Sequence, residues 1–386
     1  MGFDISNHPI DVALIKQRII PCIRGHGQLD DLVARAARLN CIRHRANCWG
    51  MGVLKLSWDI SDRQRQLGLK RKVRLSAVRP PGIMGRLLGR AELTEVEASQ
   101  ETGLPGFDSD MCVWGRPYFI VADTVEEALE GLDTYLGLAD AAPETVDAVA
   151  RRMIAKLDSR SDLLPPGYDE SVLRILSDNY PLADRVKPAQ EGETPDEAET
   201  ARRIAADMDL ARKVFAGRDS GEVIEVEDRE PELAADLALA LPHQIINIAA
   251  QTLPGWMGRG RVWPTSLFRK IGVSVAGVFE RPTSLFEDLL RDVPAMEQVL
   301  RPTIVENYCL GGYVPPEKMK AFVELLAKHR RDLILAWQQR PYDAARFDEM
   351  AADFNKILEP ATYALRHGYG FIEAAEVYSG ILGWMN

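Results

Sequence analysis

The sequence predicts an α+β protein that is predominantly helical, with a small antiparallel sheet in its N-terminal half and a helical C-terminal half. Apolar and polar residues alternate strictly from Leu54 to Ile60 and again from Val73 to Ala77, which indicates two half-buried strands that we expect to pair with each other. Elsewhere apolar residues recur at helical spacing, most clearly from Phe322 to Trp337 and from Phe347 to Leu358.

The N-terminal half adds several shorter elements to this pattern. Two helices are predicted between residues 8 and 47, and residues Tyr118 to Val121 are typical of a buried strand. Thr124 and Glu127 have the spacing of a capping box, which predicts that a helix begins there. A further helix is predicted from Glu144 to Leu157.

The C-terminal half contains further predicted helices and two short strands. Helices are expected from Ala201 to Phe215 and from Pro231 to Leu253, and the second is expected to be broken or kinked at Pro242. The short strands are expected at Val223–Val226 and at Gly272–Phe279, where β-branched residues recur.

The composition predicts three contiguous segments along the chain. An α+β domain is expected at residues 1–185, an acidic linker and helix at 186–230, and a mainly helical domain at 231–386. The boundary is placed where residues 190–200 are acidic and rich in turn formers, because such a composition buries too little apolar surface to order itself.

Gly311 and Gly312 precede the helix that is predicted to begin near Pro316. Glycine adopts backbone angles that other residues avoid, so the pair predicts a sharp turn. Pro316 and Glu317 both suit the first turn of a helix. A helix N-terminus of this kind can bind an anion, but no Gly-Lys-Ser/Thr motif follows the glycines. The predicted role of the glycine pair is therefore structural.

Charge and hydropathy limit the classes of partner. The formal net charge is −10 and the isoelectric point is near 5.3, which argues against nucleic acid as the main partner. No apolar run is long enough to span a membrane, and the N-terminus does not resemble a signal peptide, so we expect a soluble cytoplasmic protein.

Basic residues are concentrated at positions 61–90 and acidic residues at positions 184–236. These two segments could pair with each other, be solvated, or, for the basic one, bind a ligand.

A set of cysteine and histidine residues in the N-terminal half raises the possibility of a metal site. The set consists of Cys22, His26, Cys41, His44 and Cys48. Cysteine and histidine are the usual zinc ligands, but the Cys-x2-Cys pair that many zinc sites use is absent. No cofactor is therefore predicted, and zinc is kept as an alternative.

A second set of polar residues lies around the C-terminal glycines. Glu306, Tyr313, His367 and Glu373 are the candidates for a catalytic site, and Tyr308, Tyr369, Glu376 and Tyr378 lie close to them in the sequence. Histidine is the side chain whose ordinary pKa lies closest to neutral pH, so His367 suits a polar hydrolase site if residues 306–313 and 367–373 meet in space. The structural alternative is that these tyrosines and glycines serve packing and turns.

Three short sequence motifs resemble motifs of known proteins. Met-Gly-Phe-Asp-Ile at the start, Gly-Gly-Tyr-Val-Pro-Pro-Glu at 311–317 and His-Gly-Tyr-Gly-Phe-Ile-Glu-Ala at 367–374 resemble phrases of small uncharacterised bacterial cytosolic proteins. Some of those proteins are suspected to act as immunity or accessory proteins beside toxin genes. The resemblance implies a bacterial cytosolic protein that binds another protein.

The function that we expect is therefore protein binding of an immunity or accessory type, with an acidic surface suited to a basic partner. One alternative is a hydrolase with its site near Glu306, Tyr313, His367 and Glu373. The other is a metal-binding protein that uses Cys41, His44 and Cys48. The sequence specifies neither an enzymatic activity nor an oligomeric state.

Overall fold

A computed structural model describes residues 3–79, 92–100, 104, 116–161, 168–189, 195–225, 230–260, 262–337 and 347–377. In these ranges the protein is α+β and predominantly helical, and its strands form small antiparallel sheets, so the predicted fold class is confirmed. No helix in the same ranges combines the length and the apolar character that crossing a membrane requires.

The strands are short and scattered along the chain. They are β1 (Phe3–Ile10), β2 (Arg71–Arg79), β3 (Glu92–Gln100), β4 (Val223–Ile224), β5 (Glu232–Leu233), β6 (Trp256–Gly260), β7 (Leu310–Val314) and β8 (Gly370–Ala375). The α-helices range from a single turn to 37 residues. They are α1 (Val12–Leu14), α2 (Ile20–Ile23), α3 (Asp30–Gln66), α4 (Val125–Ala141), α5 (Val146–Ser161), α6 (Glu170–Ser177), α7 (Leu182–Arg185), α8 (Glu197–Gly217), α9 (Ala234–Ala238), α10 (Leu241–Ala250), α11 (Pro264–Lys270), α12 (Glu287–Asp292), α13 (Met319–Lys328), α14 (Arg330–Ala336) and α15 (Phe347–His367).

The chain forms two compact units, and each is built from separate stretches of sequence. The first unit comprises Met1–Cys41, Pro195–Lys328 and Ile357–Asn386, and the second comprises Ile42–Thr194 and His329–Lys356. This division departs from the contiguous segments 1–185, 186–230 and 231–386, because strands and helices from both ends of the chain pack together. The helical part of the predicted linker is α8, whose apolar side is buried in the core of the first unit.

A four-stranded antiparallel sheet organises the first unit, in the order β6-β1-β8-β7. Asn7 of β1 lies opposite Glu373 of β8 and opposite Trp256 of β6, so the N-terminal strand is inserted between two strands from the other end of the chain. Residues 8–10 were predicted to begin a helix. They complete β1 instead, and the first helical turn begins after Asp11, whose carboxylate accepts a hydrogen bond from the backbone N–H of Leu14.

Strand β8 is buried along its whole length. Its backbone pairs with β1 and β7. Ile372 and Ala374 join the main core on one face, and Phe371 packs against Phe279 and Phe322 on the other. The main core of this unit joins Ile10, Ile245, Phe286 and Ile372. A strand covered on both faces must bury any polar side chain it carries, and β8 carries one, Glu373.

The second unit contains most of the long helix α3, and this corrects one prediction. Residues Leu54–Ile60 were predicted to form a strand, but they continue α3. Ser57, Ile60 and Gln64 are buried at helical spacing while the ring of Trp58 is 56% exposed. Seven alternating residues are also compatible with two turns of a helix. No glycine or proline lies between Val53 and Gln66, so nothing there interrupts the helix that begins at Asp30.

Strand β2 contains the predicted strand Val73–Ala77, but its partner is β3. Position Arg74 lies opposite Glu97 and position Arg79 lies opposite Glu92. Basic and acidic positions face each other across the ribbon, an arrangement that favours pairing. Part of the basic 61–90 segment therefore lies opposite the acidic positions of β3 rather than opposite the acidic 184–236 segment.

Other local predictions have mixed outcomes. The helix after Thr124 is confirmed, because the Thr124 hydroxyl accepts a hydrogen bond from the N–H of Glu127 at the start of α4. The predicted strands at Tyr118–Val121 and Gly272–Phe279 are wrong: the first stretch is buried but unpaired as a strand, and the second forms turns. Within the described ranges, neither stretch pairs with a strand to form a ladder.

The two C-terminal helices differ from their predicted forms. The helix predicted to run to Trp337 is interrupted at His329, which separates α13 from α14. The second helix was predicted to end at Pro360, but α15 continues to His367. Proline removes one backbone N–H, and the loss is offset here by the burial of Ile357, Ala361 and Ala364 on both sides of it.

Candidate functional site

The two C-terminal segments that carry the predicted catalytic residues do meet in space. Strands β7 and β8 are antiparallel neighbours, with Leu310 opposite Ala374 and Val314 opposite Phe371. Residues 310–314 and 371–374 therefore lie side by side along one ladder, whereas residues 306 and 367 lie beyond its opposite ends. The ladder also decides which of the predicted side chains come close to one another.

Glu373 is the centre of a buried hydrogen-bond network. Its side chain is 0% exposed, and one carboxylate oxygen, Oε1, accepts hydrogen bonds from the Thr265 hydroxyl at 2.6 Å and from the Gly312 N–H at 3.0 Å. The other oxygen, Oε2, accepts from the Thr265 N–H at 3.0 Å, and the Ile304 N–H also bonds to the carboxylate. One side chain of β8 thus joins β7, the start of α11 and the segment around residue 304.

The network continues outward through two more side chains. The hydroxyl oxygens of Thr265 and Thr303 are 2.6 Å apart, and the Trp263 indole N–H donates to the Thr303 oxygen at 2.8 Å. Thr303 is only half-buried, so this chain runs from near the surface to the buried carboxylate.

Gly311 and Gly312 were predicted to form a turn, and this is wrong. They lie within β7, and their lack of a side chain makes room for the network. A Cβ atom at Gly311 would lie 2.7 Å from Oε1 of Glu373, and one at Gly312 would lie 2.6 Å from the Phe279 ring. The two glycines therefore let the Glu373 carboxylate and the Phe279 ring approach the backbone of β7 closely, and they are not needed for an unusual backbone angle.

Burial changes the acidity of Glu373. Removal from water raises the pKa of Glu373 from its ordinary value of 4.5 to about 7, although the hydrogen bonds from Thr265, Gly312 and Ile304 act in the opposite direction. Because the folded state holds this proton more tightly than the unfolded state, the group makes the fold less stable as the pH rises from about 4.5 to about 7. The full difference is about 3 kcal/mol.

Tyr313 lies on the opposite face of the sheet from Glu373. It is paired with Ile372, and successive residues of a strand point to opposite faces. Tyr313 is almost completely buried and packs against Gly370. Burial raises the pKa of its hydroxyl, and the nearby charges of Glu317 and Glu280 raise it further. The tyrosine and the glutamate therefore do not line a common space.

Glu306 and His367 lie at opposite ends of the β7–β8 ladder. Glu306 is exposed and precedes β7, whereas His367 is exposed at the end of α15. The His367 ring contacts the Tyr363 ring, with the centroids 4.2 Å apart and the planes tilted by 37°. Next to His367, Tyr369 lines a cavity of about 440 Å³ together with Asp11 and Lys16. The structure thus joins the two segments without assembling the four predicted catalytic side chains at one place. Tyr378, which is close to these candidates in the sequence, lies outside the described residues.

The segment before β7 has an unusual feature that the sequence did not reveal. Tyr308 has a φ of 56°, in the left-handed region, and its side chain is 63% exposed. Its ring meets the His243 ring edge-on, with centroids 6.0 Å apart. His243 is mostly buried and bonds through Nε2 to the carbonyl of Ala375 at 2.9 Å, and burial lowers its pKa. Glu376, just after β8, has a φ of 58°.

The ends of this segment are tightly held. The Ala375 N–H donates to the Cys309 carbonyl at 3.0 Å, and the Cys309 thiol contacts the Glu306 carbonyl at 3.0 Å. Burial raises the pKa of the Cys309 thiol, and the charges of Glu306 and Glu373 act in the same direction. Ile304 and Cys309 pack with Ile5, Trp263 and Ala375 in a small apolar cluster.

The cysteine and histidine candidates for a metal site are distributed along two helices. Cys22 is buried near the end of α2, where its sulfur accepts a hydrogen bond from Arg212, and His26 is exposed beyond that helix. Cys41, His44 and Cys48 lie on α3, and the Cys41 thiol contacts the Pro195 carbonyl. Burial raises the pKa of Cys41 and lowers that of His44. Among the residues that the structure describes, no three cysteine, histidine or acidic side chains converge as a metal site would require.

Several residues of the network were not identified from the sequence. Thr265, Thr303 and Trp263 are far from Glu373 in the chain, and no local motif marks them. In the sequence, Tyr308 is only an aromatic residue near the glycines. Its backbone strain leaves no signal in a single sequence, since left-handed positions are usually recognised through glycine or asparagine.

Comparison with known proteins gives no relative from which a function could be transferred. No protein family, no curated protein and no solved structure matches the chain.

Proposed function

We propose that this protein binds a basic protein partner through the exposed segment of residues 301–309, called here the 301–309 loop. The observation that carries the proposal is Tyr308, a bulky residue in the left-handed backbone region with most of its ring in solvent. For a residue with a side chain this conformation costs roughly 1–2 kcal/mol. Strain of this kind is concentrated at functional sites, where the surrounding structure maintains it.

The position of Tyr308 suits the role of a binding anchor. Val305, on the same loop, is 54% exposed, so two large apolar side chains reach solvent there. Tyrosine is enriched among the residues that dominate binding energy at interfaces. Because Cys309 and Ala375 tie the end of the loop to the sheet, the ring is already positioned before a partner arrives. Preorganisation of this kind reduces the entropy lost on binding.

Charge favours a basic partner. Glu306 is exposed on the loop, Glu376 is half-buried beside it, and the whole chain has a net charge of −10. Arg301 at the start of the loop is exposed as well, but it lies at the far end from Tyr308. Complementary charge accelerates association and selects among partners. An immunity or accessory protein for a basic toxin would use a surface of this kind.

The hydrolase alternative has weaker support. Glu373 and Tyr313 are buried on opposite faces of the sheet, and Glu306 and His367 are separated by the length of β7. A general acid or base must reach its substrate, and neither buried side chain is accessible.

The test compares the wild-type chain with Tyr308→Gly. Tagged full-length protein captures binding proteins from a lysate of the cells that encode it, and the affinity of each captured protein is then measured in purified form. We expect a basic protein whose affinity falls at least about tenfold in the variant, because an anchor ring is lost. The melting temperature should not fall, since glycine adopts the left-handed conformation without strain.

Trp58→Ser is the matched control, because it removes an exposed aromatic ring from the second unit. It should leave the affinity unchanged. The proposal fails if no purified partner distinguishes Tyr308→Gly from the wild type, or if Trp58→Ser weakens binding equally.

A further inference from the structure

The base of the 301–309 loop is attached to Glu373. The Ile304 N–H bonds directly to the carboxylate, and the Thr303 hydroxyl reaches it through the hydroxyl of Thr265. The Trp263 indole N–H fixes the position of the Thr303 oxygen. The residues between this attachment and Cys309, including Tyr308, have exposed side chains.

We propose that Glu373 is the positioning residue of the 301–309 loop, and that it holds the loop more tightly when ionised than when protonated. The importance of this for binding rests on the proposed function of the loop. The attachment itself does not depend on any partner.

The direction of the hydrogen bonds explains why the charge matters. The indole N–H of Trp263 can only donate, so the Thr303 oxygen accepts from it. With Glu373 ionised, Thr303 donates to Thr265 and Thr265 donates to the carboxylate, and every hydroxyl in the chain has a partner. With Glu373 protonated, its O–H can donate to Thr265, which reverses the chain and leaves the Thr303 hydroxyl proton without an acceptor within it.

The three backbone N–H groups respond in the same direction. Thr265, Gly312 and Ile304 donate to a charged acceptor in one state and to a neutral acceptor in the other. Hydrogen bonds to a charged group are roughly twice as strong as those between neutral groups. Protonation therefore weakens the bond from Ile304, which links the carboxyl group to the loop, together with the bonds from Thr265 and Gly312.

The surroundings allow Glu373 to titrate in an accessible pH range. Burial raises its pKa to about 7. The neighbouring strand positions carry no charge, because Asn7 lies opposite Glu373 on β1 and the facing residues of β7 are glycines. From α11, Thr265 contacts the group through its N–H and its hydroxyl. The charge of Glu373 contributes to the raised pKa of the nearby Cys309 thiol.

The experiment measures hydrogen exchange of the Ile304 and Gly312 amides in the full-length protein between pH 5.5 and 8.5. Each rate is divided by the intrinsic exchange rate at the same pH to give a protection factor. We expect protection of both amides to rise on the order of tenfold as the carboxyl ionises. The midpoint should coincide with the titration of the Glu373 carboxyl carbon, followed by NMR.

Two variants provide controls. Glu373→Gln should remove the pH dependence. Glu359→Gln changes another buried glutamate of the same unit, which bonds to the Trp256 indole instead, and should retain it. An effect on global stability would have the opposite sign, since burial of Glu373 makes the fold less stable as the pH rises.

A flat wild-type profile, or a midpoint that differs from that of the Glu373 carboxyl, overturns the proposal even if Glu373→Gln does not fold. No partner takes part in these measurements. A negative result of the hydrogen-exchange experiment would therefore not change the conclusion of the Tyr308 experiment, and a negative result of the Tyr308 experiment would not change the conclusion of the hydrogen-exchange experiment.

Discussion

At the scale of single residues, the buried carboxylate of Glu373 and the two glycines beside it form one arrangement. A carboxylate within a sheet covered on both faces needs hydrogen-bond donors, because an unsatisfied charge in a low-dielectric interior is costly. Gly312 provides one donor, and Gly311 leaves space for the side chain. We therefore expect any side chain at position 311 or 312 to destabilise the fold.

Gly311→Ala and Gly312→Ala test this space. Each added methyl group would lie within 2.7 Å of other atoms, so we expect each to lower the free energy of unfolding by about 1–3 kcal/mol. Denaturant unfolding of the purified variants provides the measurement. Gly258→Ala, in β6 of the same sheet, is the control, because a Cβ atom there meets nothing within 4 Å. Equal stability of all three variants would show that the close approach is not required.

At the scale of elements, the helices follow local rules and the strands do not. Helix α4 begins at Thr124 because a hydroxyl can accept the N–H of Glu127, and its buried residues recur at helical spacing. Helix α3 shows the limit of short windows: seven alternating residues suggested a strand where 37 residues form one helix. Strand formation depends on a partner, and the partner of β1 in this chain, β8, lies more than 350 residues away.

The N-cap of α4 can be tested by Thr124→Ala. Loss of the hydroxyl leaves the Glu127 N–H without its acceptor, so we expect a loss of about 1 kcal/mol in the free energy of unfolding. Thr134→Ala is a matched control in the same helix, because its exposed hydroxyl bonds only to the Glu130 carbonyl. It should change stability by less than about 0.5 kcal/mol. Equal losses in both variants would contradict the capping role.

At the scale of the whole molecule, the first unit depends on both ends of the chain. Strand β1 lies between β6 and β8, and Ser6 bonds to the carbonyl of Ala374 across 368 residues of sequence. The predicted contiguous domain at 231–386 contains β6, β7 and β8 but lacks the strand that joins them. Without β1, two strand edges that are paired in the intact chain would be left open.

The fragment 231–386 tests this dependence. We expect it not to fold by itself, because it lacks β1, and its NMR spectrum should show little dispersion of amide signals. The intact chain, recorded under the same conditions, is the reference. A well-dispersed spectrum from the fragment would show that the C-terminal region is an independent domain after all.

The sequence by itself determined the fold class, the start of α4 and the amphipathic helices, because these depend on the spacing of residues within a few turns. It also identified Glu373 and the Gly311–Gly312 pair as a region of interest. Only the tertiary structure decided that β1 pairs with β8, that the glycines make room for a buried carboxylate, and that Tyr308 is strained and exposed. Those features depend on contacts between residues far apart in the chain, and the free energy of such contacts is not encoded in any local pattern.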